Sequence, residues 1–301
     1  MKRHHLVIFI VVEIFCLLYP GSHYIRAYAD RPIDPIAKVP SRHLIPSVNH
    51  RTASPVVSAE GLFVVDIGSW TPVLIRNEQA SLFPASTTKM ITALTSRRLY
   101  PQHMIVDVKV ATTEGQLMDL HDGERITVEN LLYGSLVHSA NDAAYALAWA
   151  GGDPTAFVAE MNQTAYAVGM RASRFTNPAG FDEPDMYSTP RDLAFAARAI
   201  LADPYLRAMV STKSITVLDE DFRYAHQLTN VNQLLGVVPG LGGVKTGLTE
   251  GAGQNLVSYY KQPDTSHEYL IVVMKSEDRF KDTEAIIKWL QTDVSYVSTE
   301  E

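Results

Sequence analysis

Residues 84–90 read Pro84-Ala85-Ser86-Thr87-Thr88-Lys89-Met90, and Ala93 and Leu94 follow at helical spacing from Met90. The pattern predicts a helix from 86 to about 98 with Met90, Ala93 and Leu94 on its buried face. Positions i and i+3 of a helix are neighbours, so the Lys89 amine can reach the Ser86 hydroxyl. A serine hydroxyl is a weak nucleophile until a base takes its proton. Lysine can be that base where burial and nearby cations lower its pKa. A backbone N–H at a helix start also points toward a developing oxyanion. Capping plus a solvated lysine uses the same residue types. Ser258-Tyr259-Tyr260-Lys261 repeats the spacing on a predicted strand, where i and i+3 face opposite sides, so the motif alone assigns nothing.

Outward from this helix, the chain changes period twice. Upstream, 62–67 and 73–75 are β-branched runs split by Gly68-Ser69-Trp70-Thr71, a hairpin signal. Downstream the pattern is mostly helical to about 205. Thr189-Pro190-Arg191-Asp192 is a helix start, with a capping threonine, proline at the first position and an acid in the first turn. Leu193, Ala196, Ala197, Ile200 and Leu201 then form one buried face. Strands return around 243–246, 254–260 and 268–274, the last two joined by Pro263-Asp264-Thr265-Ser266. A closing helix over 282–290 buries Ile286, Ile287, Trp289 and Leu290. Strands early and late with helices between predict an α+β fold. One antiparallel sheet is made from both chain ends and covered by helices, with an inserted helical subdomain.

Composition narrows the function. The 301 residues are 46% apolar and 20% charged, an ordinary globular balance that excludes a disordered, collagenous or coiled-coil chain. A formal charge of −7 argues against a nucleic-acid partner. Cys16 is the single cysteine, and no His-Glu-x-x-His occurs, so neither a disulfide framework nor a common zinc site is expected. At the N-terminus Lys2, Arg3, His4 and His5 precede an apolar run over 6–18, broken only by Glu13, with Ala27-Tyr28-Ala29 after it. This is the pattern of a secretory signal peptide, shorter than the roughly 20 residues a membrane span needs. Residues 1–29 are therefore expected to be a signal or an uncleaved anchor, with the body exported from the cytoplasm. Pro32, Pro35, Pro40, Pro46 and Pro55 mark 30–57 as a linker or extended arm. Residues 58–292 form the folded body, and 293–301 a tail.

Two further short motifs lie in that body. Ser139-Ala140-Asn141 sits between two apolar helical stretches and offers a hydroxyl and an amide on one side of a short loop. Taken alone it reads as a helix cap, and Ser47-Val48-Asn49 matches it in the arm. Lys245-Thr246-Gly247 follows Gly242-Gly243-Val244 and offers a cation, a hydroxyl and close backbone approach. A phosphate-binding loop needs glycine directly before the lysine, and Val244 intervenes.

Taken in order, the three motifs resemble the Ser-x-x-Lys, Ser-x-Asn, Lys-Thr-Gly set of the penicillin-binding proteins and serine β-lactamases. Over about 58–292 the chain is similar to the low-molecular-weight penicillin-binding proteins, the serine-type D-Ala-D-Ala carboxypeptidases. Phe63-Val64-Val65-Asp66, Asn177, Gly180, Tyr187-Ser188-Thr189 and Gly253-Gln254-Asn255-Leu256 extend the likeness. The resemblance implies a transpeptidase-like fold with Ser86 as nucleophile, Lys89 as its base and Ser139 as proton relay. It also implies that Asn141 binds substrate, Lys245 keeps the field positive and Thr246 holds the substrate's terminal carboxylate. Gly247 lets the backbone approach, and the N–H groups of Ser86 and Leu248 form the oxyanion hole. The implied partners are peptidoglycan stem peptides, with β-lactams as covalent inhibitors. No metal, cofactor or nucleic acid is implied, and membrane contact is expected only through an uncleaved N-terminus.

The chain departs from the family pattern in several places. Leu248 stands where relatives often carry histidine, although only its backbone is needed. Aligning the strand after the last hairpin places Glu268 where relatives often carry a basic residue that helps to hold the substrate carboxylate. That opens the alternative of an endopeptidase cutting crosslinks. Relatives often continue into a β-rich domain and an amphipathic helix, which are not expected here. A non-catalytic cell-wall binder would keep the motifs without turnover. A class A β-lactamase would need a Glu-x-x-x-Asn loop, and Glu160 with Asn162 has the wrong spacing. His138 is read as a loop or core histidine.

Overall fold

The computed structural model describes residues 43–49, 53–109 and 112–299. The expected signal or anchor at 1–29 and most of the proline-bearing arm lie outside the described residues. In chain order the strands β1 (His43–Val48), β2 (Gly61–Asp66) and β3 (Pro72–Arg76) come first. A 3-10 turn (Ala85–Thr88) leads into α1 (Lys89–Leu99). The short strands β4 (Ile105–Asp107) and β5 (Arg125–Thr127) precede α2 (Val128–Leu136), α3 (Asn141–Trp149) and α4 (Pro154–Ala167). Next are α5 (Pro190–Ala202), α6 (Pro204–Val210) and the hairpin β6 (Ser214–Leu218) and β7 (Ala225–Thr229). The chain closes with β8 (Leu241–Thr249), β9 (Gly253–Lys261), β10 (Glu268–Ser276), α7 (Arg279–Asp293) and β11 (Val294–Thr299).

Local chemistry sets these boundaries. The Thr189 hydroxyl accepts from the Asp192 N–H at 3.1 Å ahead of Pro190, as the sequence predicts. Asp153 and Asp203 cap α4 and α6 in the same way, each followed by proline, whose missing N–H costs nothing in a first turn. The β2–β3 turn is held by Asp66, whose carboxylate takes the Ser69 N–H at 2.7 Å.

The main sheet runs β3-β2-β10-β9-β8, antiparallel throughout, so strands from both chain ends meet at β2–β10 and β8 lies on an edge. Alternate residues face opposite sides of a strand. Phe63, Val65, Val257, Leu270 and Val272 pack toward Met90, Leu193 and Ile200 of the helical part. Leu62, Val64, Leu256, Ile271 and Val273 pack toward Ile286, Ile287 and Leu290 of α7. The helices between β3 and β8 form the insertion expected from sequence. Residues 43–48 and 294–299, which sequence placed in the arm and the tail, pair as a separate two-stranded sheet. Pro46 is tolerated there because a strand with a single neighbour has one unpaired backbone edge.

Candidate active site

The turn that carries Ser86 is held from three sides. The Thr87 hydroxyl donates to Pro84 O at 2.6 Å. The Asn255 amide on β9 donates to Phe83 O at 2.9 Å and Pro84 O at 3.1 Å. Gly180 lies against Ala85, where a Cβ would fall 1.9 Å from the Ala85 carbonyl oxygen, so the backbones meet only because residue 180 has no side chain. Gly247 of β8 approaches the same turn less tightly, since a Cβ there would lie 3.0 Å from Pro84 O and 3.2 Å from the Ser86 nitrogen. Ser86 therefore sits in a 3-10 turn at the mouth of α1, not inside an α-helix as the spacing predicts. Lys89 opens the helix proper.

Lys89 is fully buried, at 0% exposure. Its Nζ lies 2.9 Å from Ser86 Oγ, 2.7 Å from Asn141 Oδ1 and 2.7 Å from Ala179 O. Burial lowers its pKa well below the ordinary lysine value, and the Lys245 charge lowers it further against the opposing pull of Asp142. A neutral amine has two N–H groups and one lone pair. Two acceptors that can only accept, Asn141 Oδ1 and Ala179 O, take the N–H groups, which leaves the lone pair for the Ser86 hydroxyl. The arrangement can draw the proton from Ser86.

Ser139 and Lys245 form the second half of the site. Ser139 sits between α2 and α3 with φ of 62°, a left-handed conformation unusual for serine. Its hydroxyl accepts from Lys245 Nζ at 2.8 Å, and Lys245 also donates to Thr246 O at 3.1 Å. Burial, with the Arg279 charge as the lesser cause, brings the Lys245 pKa down to about 7. Asn141 begins α3, yet its side chain caps nothing there. Its amide N–H donates to Glu114 O at 2.8 Å while its oxygen faces Lys89. Its side chain thus orients Lys89 and holds the 112–124 segment while it lines the cavity where the resemblance has it binding substrate.

These groups line one cavity of about 330 Å³, with Ser86, Ser139, Asn141, Thr246, Gly247 and Leu248 on its wall. Lys89 and Lys245 lie just beneath, reaching it through the two serines. The Leu248 side chain is 61% exposed, so this position meets the cavity without packing into the core.

The structure corrects the placement of Glu268. That residue opens β10 opposite Lys261, at the end of the sheet where β8 starts, whereas Lys245 to Leu248 lie toward the other end. Its carboxylate accepts from the Tyr259 hydroxyl at 2.7 Å and belongs to a different cavity. The charged side chain on the wall of the Ser86 cavity is instead Arg279, the first residue of α7, 8% exposed and donating to Gly247 O at 2.7 Å. Sequence reading missed Arg279, and also the Ala179 carbonyl. Neither carries a local signal, because each reaches the site through a distant turn of chain.

Comparison with known proteins places the chain in a family. A family profile described as D-alanyl-D-alanine carboxypeptidase matches residues 48–278. D-alanyl-D-alanine carboxypeptidase DacD of Salmonella typhimurium is 30% identical over 279 residues, covering 85% of this chain and 70% of that protein. DacB2 of Mycobacterium tuberculosis is 30% identical over 76% of this chain and 75% of its own length. The chain spans a smaller part, 62%, of DacC of Escherichia coli. Among solved structures, the Streptomyces K15 DD-transpeptidase superposes with a TM-score of 0.73 at 26% identity, covering 79% of this chain and 98% of that one. DacD from Francisella tularensis gives 0.72 at 26% identity, covering 82% and 73%. With the fold, the three motifs and these relatives in agreement, the chain belongs to the serine-type D-alanyl-D-alanine carboxypeptidase family of penicillin-binding proteins.

Proposed function

We propose that the protein is an exported carboxypeptidase that removes the terminal D-alanine from peptidoglycan stem peptides through an acyl-enzyme on Ser86. The observation that carries this reading is the Lys89 amine, fully buried, with its pKa lowered and its lone pair aimed at Ser86 Oγ. Lys89 takes the Ser86 proton as Oγ bonds to the carbonyl carbon of the penultimate D-alanine. The N–H groups of Ser86 and Leu248 receive the oxyanion. The C–N bond then breaks, and the proton taken by Lys89 is relayed through Ser139, polarised by Lys245, to the departing amine, which restores neutral Lys89. Water attacks the ester, regenerates Ser86 and frees the shortened peptide. Thr246, with Lys245 and Arg279 around it, forms the cationic end that suits a free terminal carboxylate. That end favours an exopeptidase over the endopeptidase reading, which rested on the misplaced Glu268.

The test is covalent trapping followed by product analysis. A β-lactam copies the D-Ala-D-Ala end and should add its full mass to the peptide containing Ser86. Ser86→Ala should remain unlabelled, and labelling of that variant would sink the assignment. On a pentapeptide the expected product is free D-alanine plus the tetrapeptide. The likeness to a DD-transpeptidase makes a second outcome worth reading in the same assay. With an added amine acceptor, a transfer product in excess of the hydrolysis product would reassign the chain as a transpeptidase. Acylation without any turnover would make it a binder.

A further inference from the structure

A second cavity, of about 240 Å³, shares no lining residue with the Ser86 cavity. It opens between α5, α6 and the sheet, and its apolar wall is Ile67, Leu201 and Leu270. Its polar groups are Arg198, Arg207, Tyr259 and Glu268, so it is where the stray acid of the sequence alignment resides.

The charges there are built but not matched. The Arg198 guanidinium lies 4.5 Å over the Trp70 ring, and that of Arg207 lies 5.2 Å over the Tyr259 ring. Arg207 Nη2 donates to the Tyr259 hydroxyl at 3.2 Å, and that hydroxyl donates onward to Glu268 Oε1 at 2.7 Å. Among the described residues neither arginine forms an ion pair, so two oriented guanidinium forks meet only aromatic faces and one hydroxyl. Stacking of this kind fixes the plane of a guanidinium and leaves N–H groups along its edge for a carboxylate. Glu268 has spent one oxygen on Tyr259 and keeps acceptor capacity for an N–H donor.

Size and charge select the ligand. The volume falls below the ~300–1,000 Å³ of pockets that hold drug-sized molecules, so the occupant is small. A plain carboxylate would meet Glu268, and a plain amine would meet two arginines. We propose that this cavity binds a small apolar amino acid as its zwitterion. The carboxylate lies on Arg198 and Arg207, the ammonium on Glu268, and the side chain against Ile67, Leu201 and Leu270.

The experiment is a titration of the full chain followed by NMR, with alanine and valine of either hand as probes and propionate and propylamine as half-ligands. Saturable binding of an amino acid is expected, with each half-ligand at least tenfold weaker. Arg198→Met and Glu268→Gln should each weaken amino-acid binding at least tenfold and leave the rate of β-lactam acylation at Ser86 unchanged. Arg198 is exposed, so its variant should fold normally and keep the test decisive. D-alanine bound only in the Ser86 cavity would be insensitive to both variants, and that result overturns the proposal. So does the absence of saturable binding by any probe, or propionate binding as tightly as the amino acids.

Discussion

Two lysines lie buried within one site, and burial lowers the pKa of each. Lys89 must be neutral to accept the Ser86 proton, so acylation should rise with pH through its lowered pKa and fall away on the acid side. Lys89→Ala should lose about 10²–10⁴-fold in acylation rate, the usual contribution of a general base. A rate within about threefold of the parent would remove Lys89 from the mechanism. Lys245 makes a separate prediction about stability. Its pKa is about 7 in the fold against 10.5 when free. Between those values the unfolded chain holds a proton that the folded chain lacks, so stability rises with pH across that window. Below pH 7 the full cost stands, at most about 5 kcal/mol. Lys245→Met should therefore raise the thermal midpoint at pH 6, raise it less at pH 10, and slow acylation at both. Calorimetry at the two pH values checks the first part. At this scale the sequence was most legible where chemistry repeats at fixed spacing, as in Ser86 with Lys89. It was least legible for Arg279, which contributes through a helix start that only the folded chain brings to Gly247.

Among the elements, the 112–124 segment shows what holds the cavity's other wall. The Asp142 carboxylate takes the N–H groups of Met118 and Leu120 at 3.1 and 3.0 Å. The buried His226 ring on β7 lies 2.7 Å from Met118 O and 2.7 Å from Glu124 Oε1. Both ring nitrogens face acceptors, which favours the imidazolium. Burial alone would push its pKa down, but the Glu124 hydrogen bond and charge, with the Met118 carbonyl and Asp142, push it up on balance. A histidine raised in this way lends stability that is fully present below its unfolded value of 6.5 and is lost as pH climbs through the folded value. His226→Leu leaves the buried Glu124 carboxylate with only the His121 N–H and its half-exposed ring, and should cost about 3–5 kcal/mol. The variant should also lose this histidine's share of the fall in stability above neutrality, as denaturant titrations at pH 6 and 9 would show. If the two curves keep the parent's spacing, His226 is neutral in the fold. No sequence signal pointed to this pair, because residues 124 and 226 meet only through the packing of a hairpin against a loop. The hairpin at 61–76 and the capped start of α5 were legible, since glycine, proline and capping side chains act within a few residues of themselves.

On the scale of the whole molecule, strands early and late with helices between were enough to predict the sheet and its insertion. The pattern gave neither the strand order nor the seam between chain ends. That seam is tied by Asp282 of α7. Its carboxylate accepts from the Ser58 and Ala59 N–H groups, each at 3.0 Å, from the Ser58 hydroxyl at 2.8 Å and from the Ser276 hydroxyl at 2.7 Å. Asp282→Ala strands the buried Ala59 N–H while water can reach the Ser58 donors, and it should cost about 1–3 kcal/mol, read as a lower denaturation midpoint. A change below about 0.5 kcal/mol would show that water replaces the carboxylate without loss.

The pairing of β2 with β10 also has a consequence in time. A ribosome releases the chain from its N-terminus, so Ser86 emerges long before Lys245 and longer still before Arg279. The strand at 61–66 must wait for 269–274 before the sheet has a centre, and such distant pairing is slow to form. Throughout that wait Lys89 remains solvated, protonated and unable to accept a proton. The Ser86–Lys89 pair thus gains its chemistry only after the helix at 279–293 has left the ribosome, so in this chain competence follows length.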